Sequence, residues 1–168
     1  MPLPQPLIPG LRPATQADGP AIRNLVFSTL EEFGLQPDPA GTDADLFDLH
    51  QHYHAQGGVF FVIESDNQLH GCYGLHPTSR QDVELRKMYL RPQARGRGYG
   101  RALLQHALTQ AREAGFQRVT LETAAVLTAA IRLYESHGFT RITPRHLAPR
   151  CDAAYELKLA SPHGDSAP

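Results

Sequence analysis

Gln93-Ala94-Arg95-Gly96-Arg97-Gly98-Tyr99-Gly100-Arg101 decides how this chain folds. Upstream of it, Val83-Glu84-Leu85-Arg86-Lys87-Met88-Tyr89-Leu90 reads as a strand. Downstream, Leu103, Leu104, Ala107, Leu108 and Ala111 recur at helical spacing and share one face. A strand, a glycine-rich turn and a helix therefore follow in that order. Alternate glycines let the backbone run close to a ligand. Their N–H groups, added to the unpaired donors of the first helical turn, make an anion site. Pro92 ends the strand because proline cannot donate to a ladder. A phosphate-bearing ligand is the expected occupant.

Two other phosphate loops fit less well. A dinucleotide fingerprint requires glycine where Arg101 stands, and its glycines follow the strand directly, whereas Arg91 to Arg95 intervene here. Glu122 does end the next strand, so a nicotinamide-cofactor protein stays open as an alternative. A P-loop needs Gly-Lys-Ser/Thr, which this stretch lacks.

The pattern Gln-x-x-Gly-x-Gly, Gln93 to Gly98, resembles the acetyl-CoA pyrophosphate loop of the GNAT N-acetyltransferases. A second block, Leu121-Glu122-Thr123 followed by Ala129-Ala130-Ile131-Arg132-Leu133-Tyr134-Glu135-Ser136-His137-Gly138-Phe139, resembles that family's Ala-Ile-x-Leu-Tyr-Glu-x-x-Gly-Phe signature. The two blocks stand in the family's order and at its usual separation. The resemblance spans about Arg12 to Leu159.

A chain of 168 residues is long enough to bury a core and too short for two comfortable domains. The expected domain runs from residue 7 to 160, with 161–168 a solvated, flexible tail. A net charge of −1 gives no global basic field, so no nucleic-acid partner is expected. No apolar run approaches the ~18 residues of a membrane span, so no membrane partner is expected either. Met1-Pro2-Leu3-Pro4-Gln5-Pro6 lacks the charged and apolar regions of a signal peptide, which makes cytoplasmic residence the default. Two cysteines, Cys72 and Cys151, make no disulfide framework.

Along the chain, residues 1–6 read as extended and Leu7 to Arg12 as a first strand. Asp18 precedes a helix carrying Ile22, Leu25, Val26, Thr29 and Leu30. Thr42 is read as the cap of a second helix, with Asp45 three residues on and a stripe of Leu46, Leu49 and Tyr53. Val59–Ile63 and Leu69–Leu75 are strands about an Asp66-Asn67 turn. Gly115 closes the helix after the glycine loop. Val119–Leu121, a fourth helix ending at Gly138, Phe139–Ile142 and Ala153–Leu159 complete the pattern. The fold class is α/β: one domain with a mixed, mostly antiparallel sheet of six to seven strands, flanked by about four helices.

What the resemblance implies is direct acetyl transfer from acetyl-CoA, a co-substrate, to a primary amine in a ternary complex, with no metal. The loop residues Arg95, Gly96, Arg97, Gly98, Tyr99, Gly100 and Arg101 hold the pyrophosphate. The strand edge at Met88, Tyr89 and Leu90 holds the pantetheine arm, and one N–H there polarises the thioester carbonyl. Glu84 matches the base of the family's histone-lysine branch, and Glu122 that of its ribosomal N-terminal branch. Glu84 is preferred, since the period of two places it on the face of Met88, on the thioester-binding strand. Tyr134 is the acid toward the sulfur. Many members carry Asn where Leu127 stands, and Thr128 is the nearest substitute.

His50, His52 and His54 lack the further ligands of a zinc site. His76 and Tyr73 read as structural more often than acceptor-facing. Glu31, Glu32, Asp38, Asp43, Asp45 and Asp48 make the acceptor wall acidic, which suits a cationic amine, although a solvated helical face is the preferred reading of them. Arg145 and Arg150 suit an acceptor carboxylate. The expected acceptor is a small amine or amino-acid-like molecule. A protein lysine or N-terminus, a non-catalytic acyl-CoA-binding module and a homodimeric state stay open.

Overall fold

The computed structural model describes residues 8–144 and 146–160. The expectations for residues 1–6 and 161–168, an extended stretch and a solvated tail, fall outside them. Seven strands form one sheet: β1 (Leu11–Pro13), β2 (Val59–Ser65), β3 (Gln68–Pro77), β4 (Asp82–Leu90), β5 (Arg118–Thr123), β6 (Thr140–Ile142) and β7 (Ala153–Lys158). Four helices flank it: α1 (Gly19–Glu32), α2 (Leu49–His52), α3 (Tyr99–Glu113) and α4 (Thr128–Ser136). The sheet order is β1-β2-β3-β4-β5-β7-β6. Only β4 and β5 pair in parallel. The α/β mixed-sheet expectation agrees with this architecture.

Two cores lie on opposite faces. Leu103, Leu104, Ala107 and Ala111 of α3 pack with Val83, Leu85, Val119 and Leu121. Ile22, Leu25, Val26 and Leu30 of α1 pack with Leu46, Leu49, Tyr53, Phe60 and Val62. The alternation along the central strands supplies both, because successive side chains leave opposite faces.

Local expectations are corrected at three places. The first strand among the described residues is Leu11–Pro13, so residues 8–10 of the expected Leu7–Arg12 strand lie outside it, and Leu7 itself falls outside the described residues. Asp18 precedes α1, but its carboxylate serves Arg12 at 2.8 Å and the amide of Thr15 at 2.7 Å instead of the helix. Thr42 caps no helix. Its amide donates to Asp38 Oδ2 at 2.8 Å, while the amide of Asp38 donates to Asp43 Oδ2 at 2.8 Å, so the loop folds on itself. The segment then forms a 3-10 turn, Ala44–Phe47, and the single turn α2, for which Asp48 accepts from the amide of Gln51 at 3.0 Å. The expected stripe of Leu46, Leu49 and Tyr53 is buried all the same.

Candidate active site

β4 and β5 run side by side only from Asp82 and Arg118 to Glu84 and Thr120. Beyond that level no ladder joins them, while β4 stays paired with β3 as far as Leu90. The β5-facing edge of β4 is therefore open, and an open strand edge presents unpaired donors and acceptors. A cleft of about 910 Å³ occupies the parting.

A bulge distorts β4 beside the parting. Cys72 faces Tyr89 and Gly74 faces Arg86, so two steps on β3 oppose three on β4. Lys87 takes a left-handed φ of 55°. The extra residue shifts the alternation by one. Val83 and Leu85 before it, and Met88 and Leu90 after it, all join the α3-side core. Glu84 alternates with Val83 and Leu85 and so lies on the α1 side. The expectation that Glu84 and Met88 share a face is overturned by this bulge.

The bulge delivers Lys87 into a buried cage. Its Nζ lies 2.8 Å from Asp43 Oδ1, 3.1 Å from the carbonyl of Thr42 and 3.5 Å from Asp45 Oδ1. Arg150 grips the same Asp43 with two bonds of 2.6 Å. The Tyr53 hydroxyl donates to Asp45 Oδ2, and the Arg86 Nε donates to Glu84. Burial would raise Asp43, but Arg150 and Lys87 outweigh it and hold the carboxyl at about 2.

These pairings use up much of the wall expected to attract a cationic amine. Glu32 is held by Arg95 at 2.9 and 2.7 Å, and Asp38 and Asp48 accept from backbone amides. Arg150 serves Asp43 rather than a ligand, and Arg145 lies outside the described residues.

The glycine loop borders one end of the cleft. Gly96 and Gly98 have φ of 74° and 84°, and a Cβ at either would meet nothing. Backbone conformation, and not space, calls for glycine there. Gly98 precedes α3 directly, and Gly96, Gly98, Gly100 and Arg101 line the cleft. Arg97 and Tyr99 do not. They line a smaller cavity with Gly10 and Glu64 on the other side of the loop. Arg95 reaches the cleft, but its guanidinium is bonded to Glu32 and to the carbonyl of Leu90, above the Phe33 ring. Its geometry is that of a tie between loop and α1.

Met88, Tyr89 and Leu90 line the cleft along the open edge. Thr128 and Leu127 line it at the start of α4, where Leu127 offers no side-chain cap. Tyr134 points in from α4, 6% exposed, its ring 5.7 Å from that of Phe139. Burial, and then Tyr89, push its phenol well above the ordinary range, so it stays protonated at neutral pH. No hydrogen bond from a described residue holds that hydroxyl.

Glu84 and Glu122 both line the cleft, in different states. Glu84 is committed to Arg86. Glu122 has no ion-pair partner among the described residues. Arg118, on the same strand, pairs with Asp82 at 2.7 Å and Glu156 at 2.9 Å. Burial and then Glu84 raise the proton affinity of Glu122, against the opposing effects of Ala148 and Arg86.

Other expectations sort by geometry. His76 Nδ1 donates to the carbonyl of His52 at 2.7 Å, and Tyr73 pairs with His106 at 2.7 Å, so both are structural and outside the cleft. His50 and His54 stand 6.3 Å apart by ring centroid, and no metal-holding group of three occurs among the described residues. Cys151 lines the cleft, and burial and Glu122 push its thiol up to about 11, so it is no ready nucleophile. Arg86 and Lys87 were not anticipated at the site. Their signal was present: two consecutive charges, Arg86-Lys87, interrupt an alternating strand.

A family model described as "Acetyltransferase (GNAT) family" matches residues 23–139. The chain belongs to the GNAT acetyltransferase family. It is 41% identical over 142 residues to "Uncharacterized N-acetyltransferase YjgM" of Escherichia coli (strain K12), covering 82% of this chain and 85% of that protein. The GNAT fold is matched by a GNAT-family acetyltransferase from Staphylococcus aureus Mu50 with a TM-score of 0.82, at 20% identity, over 89% of this chain and 98% of the other. The putative acetyltransferase yncA of Salmonella typhimurium, solved with acetyl-CoA, matches with a TM-score of 0.70 at 23% identity, over 89% and 92% of the two chains. This GNAT protein is an acyltransferase. No helix among its described residues is long and apolar enough to cross a membrane.

Proposed function

We propose that the protein transfers an acetyl group from acetyl-CoA to the primary amine of a small molecule, with Glu122 as base and Tyr134 as acid. The observation that carries this reading is the contrast between two carboxylates in one cleft. Glu84 is tied to Arg86, whereas Glu122 is half-buried, free of an ion pair and raised in proton affinity. A base works best when its pKa approaches the operating pH and its lone pairs are available. This reverses the preference for Glu84 that strand proximity suggested.

The residues present fit acetyl-CoA. Gly96, Gly98 and Gly100 leave the loop backbone open at the start of α3, where N–H groups and the helix dipole favour a pyrophosphate. Arg101 adds a cation beside them. The open edge at Met88–Leu90 suits an extended amide-bearing arm, by the strand-addition mode. Acetyl-CoA supplies an acyl group activated as a thioester. Backbone N–H groups at the bulge stabilise charge developing on its carbonyl oxygen. Glu122 takes the proton of the attacking amine, directly or through water. The neutral Tyr134 hydroxyl supplies a proton to the departing sulfur.

The test is free-thiol release from acetyl-CoA with amino acids, polyamines, aminoglycosides and lysine peptides. Acetyl-CoA-dependent turnover of a small amine, lost in Glu122→Gln, supports the reading. Turnover confined to the peptides overturns the small-molecule part. Thiol release unchanged in Glu122→Gln overturns the assignment of the base.

A further inference from the structure

We propose that Arg86 holds the acceptor by a carboxylate, so that the acceptor is an amino acid or a related amino-carboxylate, and not a polyamine or aminoglycoside. The proposal rests on the amine-transfer reading above and specifies its substrate.

Position comes first. Arg86 lines the cleft on the same strand face as Glu84, two residues earlier. Glu84 stands opposite Thr120 in the parallel pair. Two residues further along each strand, Arg86 is level with Glu122, on the two sides of the parting. A cation and the carboxylate that lacks an ion pair among the described residues thus face the same opening.

The state of its donors comes next. A guanidinium carries five N–H donors. The Nε of Arg86 goes to Glu84, and the head group also interacts with the hydroxyl of Tyr53, which itself donates to Asp45. No other hydrogen-bond partner meets its Nη groups among the described residues. The side chain is 30% exposed. Glu84 thereby orients the guanidinium and leaves donors over for a ligand. An oriented arginine fork matches a carboxylate in a way that a lysine does not.

The other charges on this wall are occupied. Lys87 is surrounded by Asp43, Asp45 and the carbonyl of Thr42. Arg150 is doubly bonded to Asp43. Asp43 and Glu84 are consumed in turn, and Asp45 is held by Tyr53 and, at 3.5 Å, by Lys87, with its Oδ1 buried and without a hydrogen bond. A polyamine or aminoglycoside brings further ammonium groups, and among the described residues of the cleft the one carboxylate that is both outside an ion pair and not buried is Glu122, which the reacting amine needs. A carboxylate finds Arg86. In an α-amino acid the amine and the carboxylate share one carbon, so a carboxylate on Arg86 presents the amine toward Glu122.

The experiment compares acceptor pairs that differ only in the carboxylate: an amino acid, its amide and its decarboxylated amine. The wild-type protein is expected to favour the amino acid in kcat/KM. In Arg86→Gln the preference ratio falls by about 10–100-fold, through KM, as for loss of a charge-assisted bidentate contact. Arg86→Lys, which keeps the charge and loses the fork, lies between. Retention of the acetyl-CoA thermal shift shows that the variants are folded. Equal losses for all members of a pair, or a wild-type preference for the decarboxylated amine, overturn the proposal while leaving amine transfer standing. If Arg86→Gln does not fold, the wild-type preference and Arg86→Lys decide. Absence of turnover with every amine overturns the amine-transfer reading, and the role of Arg86 with it.

Discussion

Lys87 Nζ sits 2.8 Å from Asp43 Oδ1, with the two side chains 5% and 0% exposed, at the point where β4 bulges into a left-handed turn. The contact ties the strand that borders the cleft to the loop that carries Asp43. Arg150, bonded to the same carboxylate, ties in the β6–β7 connection. Buried ion pairs are costly to form and costlier to break singly.

Asp43→Asn is expected to destabilise the protein by about 3–5 kcal/mol, because Lys87 and Arg150 lose their shared anion. The pH dependence has a definite sign. Asp43 is depressed to about 2, so its stabilisation is complete above the ordinary carboxylate value and is lost as pH falls through about 2. Denaturant midpoints measured from pH 7 down to pH 2 should show that acid loss in the wild type and a smaller one in the variant.

Glu122 and Glu84 should separate in pH–rate profiles. A raised base must lose its proton to act, so kcat/KM should climb with pH through a value above the usual carboxylate range of ~4.3. Glu122→Gln should remove that limb and lower the rate by about 10²–10⁴-fold. Glu84→Gln should keep the limb, since the amide oxygen still accepts from Arg86.

Tyr134→Phe keeps the ring against Phe139 and removes only the hydroxyl. Its melting temperature should stay close to that of the wild type, and kcat should fall by about 10²-fold, the lower range for loss of a general acid. Steady-state kinetics alongside thermal melts separate the two effects.

Gly98→Ala should weaken acetyl-CoA binding more than Gly100→Ala does. Gly98 has φ of 84°, where an L-residue costs about 1–2 kcal/mol. Gly100 lacks a positive φ, and a Cβ there meets Leu133 at an ordinary 3.5 Å. The thermal shift given by acetyl-CoA in each variant measures the difference.

Most of the fold was legible because its signals are local. The short β-rich runs of β2 and β3 about Asp66-Asn67, the apolar faces of α1 and α3, and the glycines at 96 and 98 each state their own geometry. At the candidate site, the cleft lining was legible where backbone chemistry makes it, at the loop and the open edge of β4. What escaped depends on pairing across the chain. That Asp43 is buried against Lys87 and Arg150 involves residues 44 and 107 positions away, which no periodicity reports. The same holds for Glu84, whose value as a base depended on where Arg86 points. One signal was available and unused: Arg86-Lys87 breaks the alternation of β4 and marks the bulge that moves Met88 to the face opposite Glu84.

Acetyl-CoA-dependent thiol release, measured with a panel of small amines for the wild type and Glu122→Gln side by side, tests the central claim most directly. The account predicts turnover of at least one small amine by the wild type, and a loss of about 10²-fold or more in the variant with its acetyl-CoA thermal shift retained. Turnover that survives undiminished in Glu122→Gln, or a wild type that acetylates no small amine while binding acetyl-CoA, would contradict it.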